Sequence, residues 1–202
     1  MKLKANRNVL FVALALALVA VIAVGGTLAY LTAQTGAVTN TFVGSAGIKM
    51  TLQEHEVDPA TGKFVAGGKT VQANSYTNIY PNKTVDKDPF VTVTSAPQDG
   101  MDLFVKITGA DQYMTVNGLD TNWVKVDGAA GSVNGIYKWN ASVTLAAGET
   151  SKDFPVFTSV TFSNYTGTPT FSNILVTAYA VQTNGMLEGD TTTSLAIAAL
   201  NA

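Results

Sequence analysis

The sequence of 202 residues contains no cysteine, one histidine and one arginine, and only 13% of its residues are charged. Without cysteine, both a disulfide framework and a thiolate metal site are excluded. A chain of this length can bury enough apolar surface to fold without disulfides, so the lack of cysteine is compatible with export.

The first 33 residues have the pattern of a signal peptide. Lys2, Lys4 and Arg7 form a positively charged start, and residues 9–24 are an unbroken apolar run. As a helix this run spans about 24 Å, which is short of the ~30 Å hydrocarbon core of a bilayer. The alternative is that the segment stays uncleaved as a membrane anchor. We expect no contact with a membrane except through this uncleaved segment. The expected cleavage region contains Thr27, Ala29, Tyr30 and Ala33.

Removal of this leader changes the charge of the chain. It takes away the only arginine and leaves nine lysines against 14 acidic residues, a formal net charge of −5. Bidentate recognition of phosphates and base edges relies on arginine, so nucleic acid is not an expected partner. An anionic membrane surface is not expected either, for the same reason.

The remaining residues, 34–202, show strand periodicity rather than helix periodicity. Residues 48–53, 90–94 and 101–108 alternate apolar and polar side chains, and five further short segments are rich in β-branched and aromatic residues. Turns rich in Gly, Pro, Asn and Asp separate these segments. We therefore predict one all-β domain, an antiparallel β-sandwich or jelly roll, because a parallel sheet would need helical crossovers.

Two segments near the end of the chain stand out from this pattern. Residues 173–183 are almost continuously apolar, which indicates a central strand covered on both faces. Residues 194–202 are the only helical candidate of the domain, with three threonines in front of them as possible caps. We expect this short helix to lie as a lid on one end of the sandwich.

Side chains able to carry out catalysis are scarce. His55 is followed by Glu56, but Pro59 and the absence of a second histidine rule out a zinc-protease helix. The more economical interpretation places His55 at a solvated strand end. The acidic run from Asp86 to Asp88 lacks the alternating oxygen spacing of an EF-hand loop and is expected to be a solvated turn. We predict no catalytic, cofactor-binding or metal-binding residues.

Three ordered stretches resemble the camelysin/TasA family of exported proteins. The first combines a Gly-Gly-Thr-x-Ala-Tyr cleavage region of the type cut by a dedicated signal peptidase with a following Asn-Thr-Phe and an alternating strand. The second contains a Lys-Asp-Pro element, and the third is Ala-Tyr-Ala-Val-Gln at 178–182. The chain departs from the family pattern at its last helix, which is neither acidic nor Trp-containing. The matching positions of the first two stretches are Asn40, Thr41, Phe42, Ile48, Met50, Leu52, Glu54, Lys87, Asp88 and Pro89.

This resemblance implies a jelly-roll domain that is secreted to the cell surface or extracellular matrix and builds biofilm fibres. In such fibres the N-terminal strand of one subunit completes the sheet of the next. The implied partners are other copies of the chain, joined head to tail, a related minor fibre protein and, during export, the signal peptidase. Camelysin itself is classed as a metallopeptidase, and no residues of this chain match that chemistry.

The residues themselves also favour an assembly strand directly after the leader. Residues 34–48 are uncharged, contain no proline and alternate loosely, so an exposed edge of this kind tends to pair with another strand. Val38 and Phe42 would supply buried apolar area, with Asn40 and Thr41 between them. The alternative is that the segment folds back as the first strand of its own domain. A secreted metallopeptidase and a surface adhesin remain alternative functions.

Overall fold

A computed structural model describes residues 47–167, 170–184 and 189–202, together with the backbone of residues 32–35. These residues form twelve strands and one α-helix. The strands are β1 (Thr32–Thr35), β2 (Lys49–His55), β3 (Thr70–Val71), β4 (Thr84–Asp86), β5 (Phe90–Ser95), β6 (Met101–Thr108), β7 (Met114–Asn117), β8 (Trp123–Asp127), β9 (Gly135–Trp139), β10 (Lys152–Pro155), β11 (Ser159–Phe162) and β12 (Leu175–Gln182). The helix, α1, spans Thr192–Asn201.

The strands form three antiparallel sheets. The largest has the order β1-β12-β6-β9-β8, the second has the order β10-β5-β2-β3 and the third has the order β4-β11-β7. Every pairing between described strands is antiparallel, and α1 is the one helix among the described residues. The prediction of an all-β fold with a short C-terminal helix is confirmed.

One apolar core joins the three sheets. The inward side chains of β2 and β6 follow the alternation seen in the sequence, and Leu103, Val105 and Ile107 are fully buried. Trp123 and Trp139 meet edge to face with ring centroids 5.0 Å apart. The Trp123 indole N–H donates to the Pro155 carbonyl at 2.7 Å, which satisfies its polar end inside the core.

The helix α1 covers the other face of the largest sheet. Its Ala196 and Leu200 pack against Phe104 of β6 and against Tyr179 and Val181 of β12. Thr191 caps the first turn, with its hydroxyl accepting from the Ser194 amide at 3.0 Å. The predicted cap is therefore present, but α1 lies on a sheet face, over β12, β6 and β9, instead of on one end.

Candidate assembly edge and adjoining cavity

The strand β1 forms one edge of the largest sheet. It pairs antiparallel with β12, with Thr32 opposite Val181 and Thr35 opposite Ala178. The pairing begins within the predicted cleavage region, since Ala33 is the second residue of β1 and lies opposite Ala180. Cleavage after Ala33 would leave Gln34 and Thr35 as the only residues of β1.

The other residues predicted for processing and assembly lie outside the described part of the chain. This applies to Thr27, Ala29, Tyr30, Val38, Asn40, Thr41 and Phe42.

The strand that receives β1 is buried on both faces. On one face, Ala178 and Ala180 belong to the main core, and each is 0% exposed. On the other face, Tyr179 and Val181 lie under α1. The prediction of a central strand covered on both sides is therefore confirmed. A strand in this position needs a neighbour at each side, because its peptide groups are far from water.

A cavity of about 570 Å³ lies beside the Leu175 end of β12. Its wall is partly apolar and partly polar, and it comes from all three sheets and from residues 171–174, which precede β12. Its apolar lining includes Leu52, Phe171, Ile174, Leu175 and Val176, and its polar lining includes Glu54, Asn74, Tyr76 and Lys87.

A buried ion pair lines this cavity. The Lys87 ammonium lies 2.7 Å from Glu54 Oε2, and the two side chains are 15% and 4% exposed. The second carboxylate oxygen of Glu54 accepts from the Asn74 amide at 2.8 Å. Both oxygens of this buried carboxylate therefore have a partner, which offsets the cost of removing it from water.

Tyr76 adds a neutral hydrogen-bond donor next to the pair. Its hydroxyl donates to the Asp86 carbonyl at 2.8 Å. Burial raises the pKa of Tyr76 above its ordinary value, and the negative charge of Glu54 raises it further. The phenol consequently remains protonated and holds Asp86 in place.

The run from Asp86 to Asp88, predicted to be a solvated turn, instead has each of its charged side chains paired. Asp86 binds the Lys63 ammonium at 2.9 Å, and Asp88 binds His55 Nδ1 at 2.6 Å. With Lys87 bound to Glu54, three consecutive charged residues hold three different partners. Residues 86–88, between β4 and β5, are therefore tied to β2 and to the segment between β2 and β3.

His55 lies at the solvent-exposed end of β2, as predicted. Its ring packs between Phe64 and Phe90, with centroids 5.9 and 5.2 Å away, and its amide donates to Asp88 at 3.0 Å. Among the residues that the structure describes, no three histidine or acidic side chains converge to hold a metal ion. The contacts of His55 hold two segments of the chain together.

The described positions among those matched to the family pattern, from Ile48 to Glu54 and from Lys87 to Pro89, come together in space. Met50 and Leu52 are buried in the core from β2, and Ile48 is buried directly before this strand. Glu54 meets Lys87, and the Pro89 carbonyl accepts from the Val156 amide at 2.8 Å. The sequence located both stretches but did not show that they touch. The only available signal was the opposite charge of Glu54, near the end of β2, and Lys87, between β4 and β5.

No helix in the described residues is both long and apolar enough to cross a membrane. No protein-family model matches the chain, and neither the curated proteins nor the solved structures contain a match.

Proposed function

We propose that this protein is a secreted structural protein whose copies assemble into fibres on the cell surface or in the extracellular matrix. The domain is of jelly-roll type, and its leader is removed during export. The joint is a β-strand from the start of the processed chain that pairs with β12 of a neighbouring copy.

The observation that carries this proposal is the position of β1. It is an edge strand of only four residues, it lies at the start of the domain, and it covers a strand that is buried on both faces. An edge strand close to a chain end can exchange between copies without changing the rest of the sheet.

Processing provides the reason for such an exchange. Removal of residues 1–33 would take Thr32 and Ala33 away from Val181 and Ala180, and thus leave two of the four β12 residues that β1 covers without their partners. The vacated ladder positions are then available to a strand from another copy. Each copy would give a strand at one place on its surface and accept a strand at another. Because such a head-to-tail contact does not close into a finite oligomer, it yields filaments.

Electron microscopy of the protein as cells export it tests this proposal. We expect sheet-rich filaments from the exported chain and none from a chain lacking residues 34–42. Val124→Ser is a suitable control, since Val124 is 52% exposed on β8, the opposite edge of the same sheet. Filaments that persist after the deletion would rule out strand exchange by this segment, and an exported chain that never polymerises would rule out the function.

A further inference from the structure

The edge of β12 is longer than the strand that covers it. β12 pairs with β6 along eight residues, from Leu175 to Gln182. On its other side β1 covers only Ala178 to Val181, and no other described strand pairs with residues 175–177 there. Leu175, at the end of this open stretch, is 46% exposed although it belongs to an otherwise buried strand.

The register of β1 shows which residues come next. From Thr35 opposite Ala178, each further residue of an antiparallel strand meets the preceding residue of β12. Val38 would then lie opposite Leu175. Directly opposed side chains in such a pair are on the same face and in contact, so Val38 would cover the exposed Leu175.

A strand that continues β1 in this register would lead towards the cavity. Residues 171–176 form part of its wall, and Phe171 lies there within a group of aromatic rings, 4.8 Å from Phe162 and 5.4 Å from Tyr165 between centroids. Four residues beyond Val38, about 13 Å further along an extended chain, is Phe42. In the register of β1, Phe42 would lie opposite Phe171.

The wall at this point is fixed by backbone packing. Gly109, directly after β6, has a φ of +81°, and a Cβ built on it would come within 1.9 Å of the Asn173 carbonyl oxygen. Glycine thus permits the close approach of the two backbones. This contact holds Asn173 in place just before the first residue of β12. An incoming strand would therefore meet a surface that is already formed.

We propose that the open edge at Leu175–Thr177 and the adjoining cavity form a docking site for residues 36–42 of this chain, with Val38 on Leu175 and Phe42 at Phe171. The occupant has the required properties. It is uncharged, contains no proline, and begins directly at the end of β1. This inference deepens the proposed function, and it rests on that function only where the segment comes from a second copy.

Engineered disulfides test the register, because the chain has no cysteine of its own. We expect the full chain carrying Val38→Cys and Leu175→Cys, isolated as cells process it, to form a disulfide under mild oxidation. The control carries Thr39→Cys and Leu175→Cys. A shift of one residue turns the thiol to the opposite face, so its disulfide should form at least about tenfold more slowly.

Non-reducing gels show which copy supplies the segment. A disulfide within one chain indicates docking on its own domain, and a ladder of linked chains indicates docking between copies; both outcomes support the site. Equal rates for the two pairs, or a faster control, would overturn the proposed register. Because Leu175 is 46% exposed, we expect both variants in their reduced form to unfold at the same denaturant concentration as the parent chain.

Amide hydrogen exchange gives an independent measurement on the unmodified chain. Alternate amides within residues 36–38 should exchange slowly, since every second residue of an antiparallel strand donates to its neighbour. Uniformly fast exchange across these residues would contradict the docking site. Fibres could still form by another contact in that case, whereas slow exchange without fibres would contradict the proposed function alone.

Discussion

Asp102 and Lys106 lie four residues apart on the same face of β6 and hold opposite ends of α1. Asp102 Oδ2 accepts from the Thr192 hydroxyl at 2.5 Å at the start of the helix. The Lys106 ammonium donates to the Leu200 carbonyl at 2.6 Å at its end. A carboxylate at the N-terminus and an ammonium at the C-terminus are the arrangement that the helix dipole favours.

The Asp102 contact should matter for stability, because its carboxylate is buried and also binds the Lys138 ammonium at 2.6 Å. We expect Asp102→Ala to lower the free energy of unfolding by about 2 kcal/mol, since two charge-assisted hydrogen bonds are lost together. Urea unfolding followed by circular dichroism measures this change.

Asp153→Ala provides the matched control. Asp153 is exposed on β10 and accepts a single hydrogen bond, at 2.6 Å, from the Thr92 hydroxyl. We expect its replacement to change the free energy of unfolding by about 0.5 kcal/mol or less. Similar losses for the two variants would show that Asp102 does not anchor the helix.

The Glu54–Lys87 pair should behave as a unit. Replacing Lys87 by Met leaves a buried carboxylate without its counter-charge, and we expect a loss of about 3 kcal/mol in the free energy of unfolding. Adding Glu54→Gln removes the stranded charge and should restore part of this loss. Denaturant unfolding of both single variants and the double variant gives the coupling energy.

The exposed pair between Lys63 and Asp86 is the comparison for this cycle, because the Lys63 side chain is 57% exposed. We expect its coupling energy to be below about 1 kcal/mol. If the buried pair couples no more strongly than this one, the Glu54–Lys87 contact does not stabilise the cavity wall.

The turn at Asp58 should show a pH-dependent stability. Its carboxylate accepts from the Thr61 amide at 2.7 Å and from the Thr61 hydroxyl at 3.0 Å. The amide is the larger cause, and together they lower the pKa of Asp58 below its ordinary value of 3.8. The stabilisation is therefore present above the pKa of the unfolded chain and is lost as the pH falls through the folded pKa.

Carboxyl NMR titration of Thr61→Val checks this cause. The variant keeps the amide donor and loses the hydroxyl, so the pKa of Asp58 should rise but remain below its ordinary value. Thr77→Val is the control, because the Thr77 hydroxyl donates to the Pro59 carbonyl instead. A titration of Asp58 that is identical in Thr61→Val and the parent chain would exclude the hydroxyl as a cause.

The longer elements were predictable from local patterns. Seven of the eight predicted strand segments correspond to strands, since each had enough alternation or enough β-branched and aromatic residues. Residues 142–145, also predicted as a strand, make only a single bridge, between Val143 and Met101. The burial of β12 followed from its almost continuous apolar run. The cap of α1 followed from the threonines before it. The face that α1 covers was not predictable, because its anchors on β6 are 90 or more residues away in sequence.

Four of the short strands could not be located in this way. β3, β4, β7 and β10 have two to four residues, which is too few for a period of two to be recognised. β4 and β7 exist because both pair with β11, from opposite sides and from distant parts of the chain. Their conformation is set by tertiary contacts and not by local preference.

The candidate site was predictable only as separate pieces. The motif around Glu54 and the motif around Lys87 were each visible, but the ion pair joins residues 33 positions apart. The cavity could not be inferred at all, since its wall comes from all three sheets and from the segment that precedes β12.

The unequal lengths of the two ladders on β12 have a mechanical consequence. Four residue pairs hold β1, whereas eight hold β6. A pulling force on the beginning of the chain would thus detach the outermost strand well before it disturbed the layers behind it. Under tension, a fibre joined at this strand would break at the contacts between subunits. The released subunits would be intact and able to rejoin.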